Sequence, residues 1–199
     1  MRTFVLRARS APVSPGLIGS AVGQGAHIEI IAHSVINAFF VSMAFRQDVE
    51  VCIVLESSED FPRTIRLSGA EGLSLAGFHE KAVLDLLEQA LTVGVGLSKD
   101  EMREVAHGVQ IRAQGFEKLM AGFLQDRPVW LLDRKGEDVR SVSLPADPVF
   151  VLGDHLPMPK NILASLKRRG ARPLSLGRKM LFASQCVILL NHELDRAGF

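Results

Sequence analysis

The chain has 199 residues, 47% of them apolar and 23% charged, with a formal net charge of +1. That length fits one compact unit with a substantial core, and that balance excludes a disordered tail, a membrane-embedded body and any partner chosen by overall charge. The longest apolar runs, such as the one around Val35 to Val41, contain polar residues and are too short to span a bilayer, so no membrane partner is expected.

The opening MRTFVLRARS has a β-like alternation but no apolar core region or small-residue cleavage site of a secretory signal, so a cytoplasmic location is expected. Strand Thr3 to Arg7 leads into Ser10 to Gly25, a loop by its Pro, Gly and Ser content. From His27 to Phe45 the positions Ile31, Val35, Ala38, Phe39 and Ser42 recur at helical spacing, and VEVCIVLE then reads as a buried strand. Thr64 to Leu67 is a shorter strand, and His79 to Thr92 is a helix carried by Val83, Leu86, Leu87 and Leu91 and broken at Gly94 and Gly96. VQIRAQ is a short strand, Gly115 to Gln125 a helix, PVWLLD a buried strand, and Arg134 to Arg140 a solvated turn around Lys135-Gly136.

The last third is the most regular: strand Pro148 to Leu152, helix Asn161 to Arg169, strand Pro173 to Leu176, helix Lys179 to Leu194. This βαβα run predicts an α/β fold with a mostly parallel sheet flanked by helices, and ligands in such folds sit beyond the carboxyl ends of the strands. Gly153 in FVLGDH and Gly177 in LSLG fall there, where a backbone can approach a ligand without an intervening Cβ; a glycine that only ends its strand is the simpler reading of either one alone. Neither belongs to a GxGxxG or GxxxxGK[ST] pattern, which argues against nicotinamide and P-loop chemistry. Cys52 and Cys186 are far apart in apolar runs, and the six histidines lack ligand spacing, so neither a disulfide nor a metal site is expected.

Taken together, FVLGDH, LSLG and the closing ASQC…NHELDR resemble the TrmY-type pseudouridine methyltransferases of the SPOUT superfamily. The likeness continues more weakly through SVINAFFVSMAFRQDVEVCIVL and LSGAEGL, across most of the chain. The resemblance implies a single SPOUT (alpha/beta knot) domain over residues 1–199, its C-terminal trefoil knot at about 127–199, and a homodimer with cofactor sites at the subunit interface. It implies S-adenosylmethionine as cofactor, held by Leu132, Leu152, Gly153, Ser175, Leu176, Gly177, Leu181 and Cys186. Apart from that resemblance, Cys186, Met180 and Phe182 read as core residues.

The activity implied is methylation of N1 of a pseudouridine in the T-loop of tRNA, with RNA rather than DNA as partner. Alternatives are another RNA site, ribosomal for example, or a knotted binding module without turnover. Asp48 would serve as base or orient the uracil, and Arg46 would bind phosphate or steady developing charge. Gln47 stands where the family shows a second arginine, and Arg178 where it tends to have proline after SLG. Lys167, Arg168, Arg169, Arg172, Arg178 and Lys179 cluster in sequence near the expected cofactor end, as an RNA-facing patch or a solvated helix end.

Overall fold

The computed structural model describes residues 1–58 and 61–199. In chain order the elements are β1 (Arg2–Pro12), α1 (Ile28–Phe39), the hairpin β2 (Phe40–Val41) and β3 (Ala44–Phe45), β4 (Val49–Ser57), β5 (Arg63–Ser68) and α2 (Glu80–Val93). There follow β6 (Met102–Ala106), β7 (Val109–Arg112), α3 (Phe116–Asp126), β8 (Val129–Asp138), β9 (Val149–Gly153), α4 (Lys160–Arg168), β10 (Arg172–Ser175) and α5 (Ala183–Arg196). Eight strands form one sheet in the order β10-β8-β9-β1-β4-β5-β7-β6. The pairings from β10 through β4 are parallel and those from β4 outward to β6 antiparallel, so the βαβα signature of the last third correctly indicated the parallel half.

Alternation explains why the central strands read as continuous apolar runs. In β1, Phe4, Leu6 and Ala8 enter the larger core with α1, α2 and α5, while Val5 enters a smaller one with α3 and α4. In β4, Val51, Ile53 and Leu55 face the first core, and Cys52 and Val54 the second. A strand covered on both faces favours apolar residues on both sides of its alternation.

Several expected elements shift. The helix expected to reach Phe45 stops at Phe39, because the Arg46 amide donates to the Phe39 carbonyl at 2.8 Å and the chain turns back as a hairpin, with Met43 in the left-handed region at φ 61°. Ser42 therefore lies outside the helix face it was assigned to. β1 runs to Pro12, and two short 3₁₀ turns at 15–17 and 19–21 occupy much of the expected loop, with Ile18 fully buried. β6 escaped prediction because MREVA is a short strand at the sheet edge with no fully buried position.

The largest correction lies at 134–140, which is not a free turn. β10 pairs Arg172 with Trp130 and Pro173 with Leu131, then Leu174 with Glu137 and Ser175 with Asp138. Residues 132–136 thus loop out of the ladder and return beside the same strand. Gly136 makes that return possible: a Cβ there would stand 2.6 Å from the Leu174 nitrogen and 2.6 Å from the Pro173 carbonyl carbon.

Candidate functional site

A cavity of about 380 Å³ opens at the carboxyl ends of β8, β9 and β10, within the size range of sites for small organic ligands. Three backbone segments and one helix start wall it: Leu131 to Arg134 of the β8 excursion, Val151 to Met158 after β9, Leu174 to Gly177 after β10, and Ala183 with Cys186 on α5. Of the eight positions expected to hold cofactor, Leu132, Leu152, Gly153, Leu176, Gly177, Leu181 and Cys186 all line it. Ser175 stands behind the wall, buried, its Oγ accepting the Gly177 amide at 3.1 Å. Gly177 has φ 116°, a conformation L side chains rarely adopt, so LSLG needs its glycine to leave β10 at this angle. The expected helix start at Lys179 gives way to Ala183, and Gly177, Lys179, Met180 and Leu181 before it line the cavity.

The loop after β9 is fixed through FVLGDH. Asp154 accepts the Leu156 amide at 2.8 Å with one carboxylate oxygen and the Arg9 amide at 2.8 Å with the other, tying the pocket wall to the end of β1. Leu156, Pro157 and Met158 contribute an apolar wall that the sequence reading missed, although a Pro- and Met-rich stretch straight after a glycine-ended strand was the available signal. Met180 and Phe182 are corrections: expected as core, they are 76% and 64% exposed, and Met180 sits at the pocket edge.

Two charged groups on the β8 excursion face the same space. Asp133 accepts the Lys135 amide at 3.0 Å and lies 3.3 Å from Lys167 Nζ; these donors outweigh burial and hold its carboxyl below the usual value. Cys186 is half-buried, and burial pushes its thiol up to about 11, so at neutral pH it is a neutral packing group and no nucleophile. Among the described residues no group of three metal-ligating side chains exists.

The family model described as "Putative SAM-dependent RNA methyltransferase" matches residues 1–199. The chain belongs to that family. Relatives named "Putative pseudouridine methyltransferase" are 48% identical over 195 residues in Photobacterium profundum (98% of each chain) and 46% identical over 199 residues in Vibrio atlanticus (100% of each chain). The fold is similar to that of Archaeoglobus fulgidus Nep1, solved bound to S-adenosylhomocysteine, with a TM-score of 0.66 at 14% identity over 99% of this chain and 98% of that one. The likeness covers the whole α/β architecture expected from the C-terminal motifs.

For this S-adenosylmethionine-dependent family member, the cavity suits the methyl donor by its own features. It offers leucine side chains for an adenine face and backbone polar groups between them at Gly153 and Gly177, with no cysteine thiolate to compete for the methyl.

Arg46 and Asp48 lie elsewhere. Both sit at the amino-terminal edge of the sheet, where β4 begins, whereas the cavity is at the carboxyl edge. α5 spans the distance: its first residue, Ala183, touches the cavity, and Asp195, which pairs with Arg46, lies twelve residues on, about 18 Å at the helical rise. Asp48 Oδ2 lies 2.6 Å from Arg2 Nη2. Arg2, 2% exposed, also donates to Asn191, Asp195 and the Phe199 carbonyl. NHELDR thus organises a charged cluster far from its own pocket, and the structure does not bring Arg46 or Asp48 to that pocket within one chain.

The basic cluster also separates. Lys179 lines the cavity next to Arg178, while Lys167 pairs with Asp133, and Arg168, Arg169 and Arg172 lie at the far end of α4 and the start of β10.

Proposed function

We propose that this protein methylates N1 of a pseudouridine in RNA, in the T-loop of tRNA, as a homodimer in the cytoplasm. The observation that carries the reading is the convergence of Leu132, Leu152, Gly153, Leu176, Gly177, Leu181 and Cys186 on one cavity of about 380 Å³ in a chain of this family. The relatives' printed names support pseudouridine as acceptor. The return of residues 132–136 around β10 is where the expected trefoil knot would be threaded.

When bound, S-adenosylmethionine supplies an already activated methyl group, so no metal is needed. The chain's tasks are to orient, to exclude water and to manage one proton. The apolar walls Leu152, Leu156 and Leu176 keep the site dry, and Asp154 fixes the loop that carries one of them. The pseudouridine N1–H must lose its proton as nitrogen takes the methyl, and negative charge spreads over the uracil ring meanwhile. Asp48 would accept that proton or orient the ring, and Arg46 would hold a phosphate or the ring oxygen.

The length of α5 from the cavity at Ala183 to Asp195, about 18 Å at the helical rise, lies between these groups and the cavity of their own chain, so they would serve the cavity of a second copy. Pairing prepares them for this. Asp195 holds the Arg46 guanidinium through both carboxylate oxygens, and Arg2 holds Asp48 while leaving it 47% exposed.

Nucleoside mass spectrometry of RNA from a strain lacking the protein tests the reading. Loss of N1-methylpseudouridine from tRNA, restored by the wild-type gene, is expected. An unchanged set of methylated nucleosides overturns it.

A further inference from the structure

A second cavity, of about 280 Å³, opens at the start of β8 and β10 between Pro128, Trp130, Ser143, Pro145, Gly170 and Arg172. Trp130 is 3% exposed and its indole Nε1 has no hydrogen-bond partner, although a buried indole N–H ordinarily finds one. Arg172 places its guanidinium carbon 5.8 Å from the centre of the Trp130 ring. Among the described residues, neither the Arg172 guanidinium nor the Ser143 hydroxyl has an ion pair or hydrogen bond. Among the described residues no carboxylate lines the cavity.

The Arg172 guanidinium and the Ser143 hydroxyl therefore line one space, with the buried, unsatisfied indole N–H of Trp130 in a residue of its wall and no anionic side chain among the described residues there. A nucleobase fits this poorly, since Arg172 already covers the indole ring on which a base would stack. A phosphate fits well, because it is all acceptor and carries the charge Arg172 lacks. We propose that this cavity binds a phosphate of the RNA backbone, using the Arg172 guanidinium, the Ser143 hydroxyl and the Trp130 N–H as donors. The proposal rests on RNA being the substrate. Arg172 and the Gly177 rim of the cofactor cavity are five residues apart along the edge strand, roughly 16 Å at strand rise, so the phosphate belongs to a flanking nucleotide and not to the acceptor.

Trp130 is the sole tryptophan and the chain has no tyrosine, so its emission reports on this cavity directly. A T-arm stem-loop RNA and, separately, inorganic phosphate are titrated into wild type and Arg172→Gln while emission is followed, with filter binding for Trp130→Phe. RNA is expected to change wild-type emission. Arg172→Gln should weaken RNA binding about 3- to 10-fold and lower the slope of log affinity against log salt by about 0.7 to 0.9, the signature of one lost phosphate contact. Trp130→Phe should weaken binding less, and calorimetric affinity for S-adenosylmethionine should stay unchanged in both.

RNA affinity and salt slope unaltered in Arg172→Gln overturn the proposal. So does an emission response to phosphate without one to RNA, which marks a free-anion site. Failure here leaves methyl transfer by the wild type intact, whereas failure of the proposed function appears as wild type that leaves RNA unmethylated at any concentration.

Discussion

Arg46 grips Asp195 with both terminal guanidinium nitrogens, at 2.8 and 2.5 Å, joining the segment before β4 to the last turn of α5. Asp195 also accepts from Arg2 at 2.9 Å, so one carboxylate neutralises part of two arginines, one of them almost wholly buried. Removing it leaves Arg2 with Asp48 as its remaining charged partner. Asp195→Ala should destabilise the fold by about 1–3 kcal/mol, less than a fully buried pair because Asp195 is partly in water. Urea unfolding at neutral pH measures this.

The same carboxyl predicts a pH dependence. Burial opposes its ionisation, but the hydrogen bonds from Arg46 and Arg2 outweigh that and hold it below the ordinary value. A folded-state value below the unfolded one means that this stabilisation is complete above about pH 4 and is lost as pH falls through the folded value. Wild type should lose stability relative to Asp195→Asn as denaturation is repeated from pH 5 down to pH 3. Parallel curves for the two proteins would show that the pair contributes nothing.

Gly136 should tolerate a side chain poorly. Its Cβ would meet backbone atoms of Pro173 and Leu174, which cannot rotate away as a flexible side chain could. Gly136→Ala should cost about 1–3 kcal/mol and weaken S-adenosylmethionine binding along with it, because the strand it pushes carries Leu174 to Gly177 into the cavity. Thermal melts with and without cofactor test both effects together.

Cys186 should be chemically quiet. With its thiol pushed up to about 11, it should react with iodoacetamide far more slowly at pH 7.5 than a free cysteine. Cys186→Ala should retain methyl transfer, with cofactor affinity lowered less than about 10-fold, the scale of a small loss of apolar contact. Loss of all turnover with cofactor affinity intact would assign it a chemical role.

Subunit mixing tests the trans arrangement. Asp48→Asn and Leu176→Asp should each be inactive as homodimers, the first through the acceptor and the second through the cofactor cavity. Mixed after unfolding and refolding together, they should regain roughly a quarter of wild-type activity, because random pairing makes half the dimers mixed and each of these has one intact site. No recovery, with mixed dimers verified by mass, would place Asp48 in the site of its own chain.

That seven of the expected positions share one cavity was legible because their determinants are local. A strand ending in glycine announces its own end, and FVLGDH and LSLG needed only a parallel sheet to be brought to the same edge, one on each side of β8. The positions of Arg46 and Asp48 were not legible, since which end of the sheet a loop occupies follows from strand direction and pairing across the chain. The excursion at 132–136 was hidden for a related reason: RKGED has the composition of a solvated turn, and only the long-range approach of β10 makes its glycine a contact. Met180 and Phe182 misled because apolar side chains next to a ligand or a partner have the same composition as core.

β1 has β4 on one side and β9 on the other, and those neighbours arrive about 50 and 150 residues into the chain. β1 therefore waits for roughly 150 further residues before its second partner is made, and β10, which helps wall the cavity, comes later still. A chain with so many distant pairings should fold slowly, with the cavity among the last parts to assemble. S-adenosylmethionine, by binding only the finished form, would then draw late intermediates forward, so cellular levels of the metabolite would set how much mature protein accumulates as well as how fast it works.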